Sequence, residues 1–310
     1  MTGYVARRIL FSLIAILGVV TLAFLILRLS GDPTLLIAPQ GASREELDNL
    51  RRVLGFDRPL YVQYFEYLAN LLRFDLGDSV VQRVAVTEII GARIPYTLTL
   101  AGGAIVVALG IGVPAGILMA LHRGRPLERI LMSVVLVGQS MPTFWSGILL
   151  ILLFAVTLGW LPSSGADSLR ALILPSIALG ALSMATFARV TRIAVLGELE
   201  QDYVRTAVAR GLARRTIVLK HVLRNAAIPV ISVLALELGN LLAGAVIVET
   251  VFAWPGIGLL AIQSIFARDF LVVQGVVLLI SFTYVLLNLL ADLAYGVVDP
   301  RVSVAGGTSR

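Results

Sequence analysis

The chain has no cysteine, one lysine and two histidines in 310 residues, and few charges of either sign. Without cysteine there is no disulfide framework and no thiolate chemistry. A phosphate-binding loop of the G-x-x-x-x-G-K-[ST] kind needs a lysine behind its glycines. The sole lysine, Lys220, instead follows Thr216-Ile217-Val218-Leu219, so the chain is not that kind of nucleotide hydrolase. His122 and His221 stand in basic stretches with no His, Cys or carboxylate at ligand spacing, so no metal site is expected. Neither H-E-x-x-H nor G-x-S-x-G occurs, and nothing points to catalysis. Charged residues make up 14% of the chain, against about a quarter in a soluble domain. Hydrophobic residues make up 58% and the mean hydropathy is +0.93, which identifies an integral membrane protein. The net charge of +6 does not imply nucleic acid, because basic residues are expected on cytoplasmic loops and no aromatic–basic interleaving occurs.

What is present is a series of apolar runs. A span needs about 20 mostly apolar residues. Six segments meet that length, roughly Ile9–Leu29, Tyr96–Leu121, Ile130–Leu158, Ala171–Ala194, Pro229–Val251 and Leu271–Tyr295. The first follows Arg7 and Arg8 but is too long for a signal peptide and lacks a small-residue cleavage site, so it reads as an uncleaved helix. Arg123, Arg125 and Arg129 crowd the second-to-third connection, and eight basic residues lie between Arg189 and Arg224. The third-to-fourth and fifth-to-sixth connections hold one each, Arg170 and Arg268. By the positive-inside rule both termini are cytoplasmic. The expected fold is an all-α, multi-pass protein of the cell (cytoplasmic, or inner) membrane with six transmembrane helices. Its parts are a cytoplasmic N-terminus and first helix (1–29), an external helical segment (30–93), helices two to six (94–295) with a cytoplasmic loop (196–228), and a cytoplasmic tail (296–310).

The external segment has helix signals of its own. Ser43 and Glu46 have the spacing of a capping box, and Gly55 is placed to end the helix Glu45–Leu54. After Pro59, the residues Tyr61, Tyr64, Phe65, Leu68, Leu71 and Leu72 share one helical face. Packing on the membrane helices is the favoured use of that face, over an interfacial position or a partner contact.

Gly112 and Gly116, and again Gly239 and Ala243, have the small-xxx-small spacing that permits close helix approach. Gly138-Gln139-Ser140-Met141-Pro142-Thr143 is the most polar point inside a span. It is equally readable as the lining of a watery path or as interhelical glue. Glu237, with Asn240 behind it, lies about 12 Å into a span that starts at Pro229. An ionisable group at such depth is a functional-site hypothesis; the bland alternative is a carboxylate facing water or a basic partner. Gln139, Ser140, Glu237 and Asn240 are the candidate path residues. Asp292 reads as an interfacial anchor. No intramembrane carboxylate chain and no inverted repeat favours an ion-coupled secondary transporter.

The longest internal polar stretch, Leu196–Pro229, carries six basic residues. Gln201–Leu212 can form a short helix with Asp202 at its start, Arg210 near its end and Gly211 to stop it. Ala207 and Gly211 would make a bare face that another surface could approach. A second helix, Ala213–Ala227, places Ile217, Val218, His221, Val222 and Asn225 on one side.

The run Asp202-Tyr203-Val204-Arg205-Thr206-Ala207-Val208-Ala209-Arg210-Gly211-Leu212 resembles the coupling-loop signature of ABC-transporter permeases, in particular the binding-protein-dependent dipeptide/oligopeptide/nickel branch. The general signature, E-A-A-x-x-x-G, maps onto Arg205-Thr206-Ala207 and Gly211 with two letters changed, and Pro229 stands 18 residues after Gly211. Four further runs fit the branch in order: Leu54–Leu60 with Gln63-Tyr64 and Asp75-Leu76-Gly77; Met141–Trp145; Glu249–Gly258; and Asp299-Pro300-Arg301. The resemblance implies a non-catalytic permease of an ATP-driven importer. It would pair with a second, homologous permease, with ABC ATPase subunits that bind ATP and Mg, and with an external substrate-binding protein. This chain would bind no cofactor itself; its surroundings would be membrane lipid and its cargo peptides, with nickel chelates or glutathione-like compounds as the alternative. Asp202, Tyr203, Arg205, Thr206, Ala207, Gly211 and Leu212 would form the ATPase-coupling loop.

Overall fold

The computed structural model describes residues 2–29, 34, 43–53 and 55–298. Every regular element among them is a helix, and only an isolated bridge between Asp78 and Ala85 departs from that pattern. In order the helices are α1 (Thr2–Leu29), α2 (Arg44–Val53), α3 (Leu60–Leu72), α4 (Val86–Leu121), α5 (Pro126–Ser140), α6 (Thr143–Leu150), α7 (Leu169–Leu199), α8 (Asp202–Ala209), α9 (Leu223–Val251), α10 (Ile257–Phe266) and α11 (Phe270–Val298). A π-helical stretch, Ile151–Thr157, extends α6, and another, Ile217–Val222, leads from the turn Arg214–Thr216 into α9. The Asp299-Pro300-Arg301 motif and Leu54 lie outside the described residues, as do the side chains of Asp292 and Ala243.

Five of these helical rods are long and apolar enough to cross a membrane, and α5 with α6 makes a sixth only if the pair is counted together, because it bends by 107°. The expected straight span Ile130–Leu158 is therefore broken. Met141 precedes Pro142, whose ring disfavours a helical conformation at the residue before it. Both adopt extended ψ angles of 130° and 137°. Two other boundaries move. The second span begins at Val86, inside the stretch read as external, and its first turns bury Val86, Ile89 and Ile90 against α10 and α11. The separate helix Ala213–Ala227 merges with the fifth span, so Pro229 lies inside a helix rather than at its start.

The spine of the bundle is α4 against α7. At Gly112 an added Cβ would sit 2.6 Å from the Met184 carbonyl, and at Gly180 it would sit 2.7 Å from that of Ala104. Gly116 is as crowded against the Ala188 carbonyl. Small residues here let two backbones touch, and dispersion replaces a hydrophobic drive that lipid does not supply.

The first connection has its own order. Ser43 and Glu46 close the predicted capping box: the Ser43 amide donates to Glu46 Oε2 at 2.7 Å and the Glu46 amide to Ser43 Oγ at 3.3 Å. The Ser43 donors hold the Glu46 carboxyl below its ordinary pKa. Helix α3 packs on α1 through Tyr64 and Tyr67, whose rings lie 5.3 and 5.6 Å from Phe24. Tyr61, Phe65 and Leu72 of the proposed face instead stay exposed. The docked side is thus rotated from the one read off the periodicity, and Gln63, buried beneath it, donates to the Phe56 and Arg58 carbonyls.

Candidate partner-docking and translocation sites

Helix α8 follows α7 after a two-residue turn and ends as the sequence requires. Gly211 takes a left-handed φ of +74°, its amide donating to Val208 O at 2.9 Å and that of Leu212 to Ala207 O at 3.2 Å. These are the paired bonds of a Schellman ending. The bare Ala207/Gly211 face is corrected, however. Ala207 is buried with Val204 against Ala120, Val195, Ile217, Val222 and Ala226 of the same chain. It anchors α8 rather than facing a partner. Gly211 is exposed, with open space where a Cβ would be. The outward side carries Asp202, Arg205, Thr206, Val208 and Arg210, with Leu212 beyond the turn. Val208 is 61% exposed and Leu212 44%.

Tyr203 holds α8 from behind. Its hydroxyl donates to Glu198 Oε2 at 2.6 Å, and Asn225 Nδ2 reaches the same oxygen at 3.2 Å. Burial, then the neighbouring Glu198 carboxylate, push the Tyr203 phenol above its ordinary pKa. One carboxylate therefore ties α7, α8 and α9 together. Nearby, Arg192 of α7 forms an ion pair with Glu128 of α5, whose other oxygen accepts the Gly124 amide at 2.6 Å. Arg123 pairs with Glu200 at 2.8 Å. The loop between α4 and α5 is thus clasped twice to the helix that leads into α8. Neither clasp was singled out from the sequence, since partners 64 and 77 residues apart leave no local spacing.

The interior candidates do not converge. Glu237 is buried and accepts a hydrogen bond from the Ser183 hydroxyl of α7 at 2.5 Å, so it has a neutral partner on a neighbouring span and no basic partner among the described residues. The 12 Å depth also loses its origin, because the helix does not start at Pro229. Asn240 and Ser140 are exposed and Gln139 is half-buried at the α5–α6 break. Ser140 spends its hydroxyl on Leu136 O at 2.8 Å. Among the described residues no hydrogen bond joins Gln139, Ser140 and Asn240.

A fully buried carboxylate with three donors lies at the other end of α9, at a residue to which the sequence assigns no role. Glu249 is fully buried. It accepts from Thr97 Oγ1 at 2.7 Å and from the amides of Gly258 at 2.6 Å and Leu259 at 3.1 Å. Those amides open α10, where a carboxylate complements the helix dipole. Thr97 in turn accepts the Ile257 amide at 2.8 Å, and Trp254 Nε1 donates to Tyr96 O at 2.9 Å. A side chain at Gly256 would strike the Glu249 carboxylate, and one at Gly258 would strike Val246. The P-G-x-G part of the Glu249–Gly258 run is therefore the space this knot needs. In the sequence, helix α10 reads as a plain connection. Ten residues fall short of a span, and a hydropathy reading passes over them.

Among the described residues no cluster of three or more His, Cys, Asp or Glu could hold a metal ion.

A family model described as "Binding-protein-dependent transport system inner membrane component" matches residues 112–304, and an N-terminal counterpart matches residues 1–101. The glutathione transport system permease protein GsiC of Escherichia coli strain K12 is 42% identical over 303 residues, 97% of this chain and 99% of that protein. GsiC of Salmonella choleraesuis strain SC-B67 is equally similar, 42% over 303 residues. A structure of inward-facing MetNI methionine ABC transporter superposes with a TM-score of 0.58 at 20% identity, covering 69% of this chain and 97% of the matched one. That last likeness concerns the fold alone.

Proposed function

The chain belongs to the family of binding-protein-dependent transport system inner membrane components, and we propose that it forms half of an ATP-driven path for peptide-type cargo, with α8 as the helix on which the ATPase acts. It is a multi-pass, non-catalytic permease component of an ABC importer; ATP hydrolysis belongs to a separate ATPase, and an external substrate-binding protein is implied. The proposal adds a second, homologous permease, ATP and Mg held by the ATPase, cytoplasmic termini, and the 30–93, 94–295 and 296–310 division of the chain. Di- or oligopeptides are the cargo class. Glutathione is the first compound to test, because the GsiC relatives are named for it and it is itself a short peptide; nickel chelates are the remaining alternative.

The observation that carries the docking reading is the two-sidedness of α8. Val204 and Ala207 are sunk into the bundle, while Asp202, Arg205, Thr206, Val208, Arg210 and Leu212 face out. A helix of eight residues has little stability alone. Here it is held by its buried side and by Tyr203, so a push on its outer side reaches α7 and α9. Gln139, Ser140, Glu237 and Asn240 remain the proposed path residues, with Glu237 acting through Ser183.

The test uses the assembled importer in proteoliposomes with its binding protein and ATP. Gly211→Trp should insert and assemble, yet uptake of glutathione or dipeptide should fall about tenfold or more, because a bulky group blocks the docking surface. Gly211→Asn, which tolerates the left-handed conformation, should transport normally. Full uptake by Gly211→Trp would reject α8 as the docking element. Uptake driven by an ion gradient without ATPase would reject the transporter class.

A further inference from the structure

The end of the bundle that carries α8 holds a second feature. The last turns of α4 and α7 meet the Arg214–Val222 segment around a groove of about 870 Å³. Its floor is apolar, with Ile117, Leu121, Leu196 and Val218. Its rim carries His122, Arg123, Arg125, Arg214 and Arg215, and its only acid is Glu200. Arg123 already holds Glu200 at 2.8 Å. Arg125, Arg214 and Arg215 are exposed and form no ion pair among the described residues. Three unpaired guanidinium groups therefore border an apolar trough where two membrane-crossing helices end.

We propose that this groove binds the anionic headgroup of a membrane phospholipid, its phosphodiester between Arg125, Arg214 and Arg215 and its first acyl carbons on the apolar floor. Guanidinium forks match phosphate oxygens in geometry and charge. Both α4 and α7 are long and apolar enough to cross a membrane, and the rim lies where they end beside the basic loops; basic pockets between spans on that side suit anionic lipids. A free phosphate would use the rim and leave the floor wet, whereas a phospholipid satisfies both. The bound lipid would brace the α4–α5 loop against the segment that follows α8. The proposal needs no assumption about cargo, and it uses residues other than the outward side of α8.

The complex with its partner subunits, purified in mild detergent, would be mixed with phosphatidylglycerol or phosphatidylcholine of matched acyl chains and examined by native mass spectrometry. Phosphatidylglycerol should be retained about tenfold or more over phosphatidylcholine. R125Q, R214Q and R215Q together should abolish the preference, and the three Arg→Lys changes should largely keep it. Should the triple Gln variant not assemble, Arg215→Gln alone should still weaken retention of phosphatidylglycerol and leave phosphatidylcholine unchanged. Equal retention of the two lipids, or an unchanged preference in the Gln variants, overturns the proposal. Displacement of phosphatidylglycerol by excess inorganic phosphate would make this a free-anion site. Loss of the ATPase from the Gln variant with lipid retention intact would make it a protein contact; either result also overturns it.

Discussion

At the α10 end of the bundle, buried carboxylates are met by neutral donors. Glu249 accepts from Thr97 and two backbone amides, and Asp269 accepts from Ser79. At the α8 end, two carboxylates are met by arginines, the buried Glu128 by Arg192 and the exposed Glu200 by Arg123, while Glu198 keeps the neutral donors Tyr203 and Asn225. The first arrangement is buried and short-ranged, and loosening it strands polar groups away from water. The Arg123–Glu200 pair is exposed and tolerant of rearrangement, since exposed ion pairs contribute little and water can replace a partner. The α10 end keeps α4, α9 and α10 in register; under the proposed docking at α8, the Arg123–Glu200 contact is the one free to shift.

Changes at Glu249 and Arg192 probe the contrast and one at Ser43 lies outside it, taken in order of decreasing effect. Glu249→Ala should cost about 3 kcal/mol or more, because a hydroxyl and two amides lose their acceptor; detergent-solubilised protein should melt lower and elute as aggregate. Glu249→Gln, which keeps one acceptor, should fall between. If Glu249→Ala melts like the parent, the α10 end is no lock. Arg192→Met should be milder: the fold persists, but the 122–125 loop loosens, read as faster trypsin cleavage after Arg123. A cleavage rate unchanged from the parent would remove the clasp from the argument. Ser43→Ala should have the smallest effect, fraying only the first turn of α2, visible as faster amide exchange at residues 44–47. Because the Glu46 carboxyl titrates below its ordinary value, its contribution is present at neutral pH and is lost as pH falls through the lowered value. The Ser43→Ala difference should therefore shrink in acid.

Much of the architecture was legible in the chain itself. Hydropathy located the five helices long and apolar enough to cross a membrane and the bent α5–α6 pair, and the spacing of Gly112 and Gly116 marked a close helix crossing. Gly55 and Gly211 announced their helix ends, because a left-handed residue is a local requirement that a glycine meets locally. The errors share a different origin. Ala207 reads as a bare outward face only until Ala120, Val195 and Val222 arrive from three other helices to cover it. Tyr61 and Phe65 fit the apolar stripe of α3, yet α1 meets the stripe from the side of Tyr64 and Tyr67. Pro229 looks like a helix start and is absorbed into one, with the π-helical turn Ile217–Val222 just upstream.

The sequence by itself determined that this is a membrane permease of helices, where most of them run, and that a short helix after α7 ends at Gly211. Those properties depend on composition and on contacts within a few residues. Only the tertiary structure decided which side of α8 is free, that Glu237 answers to Ser183, and that Glu249 is the pin of the α10 end. Each of those depends on partners brought together from 9 to 152 residues away, and no local pattern encodes which distant side chain will arrive.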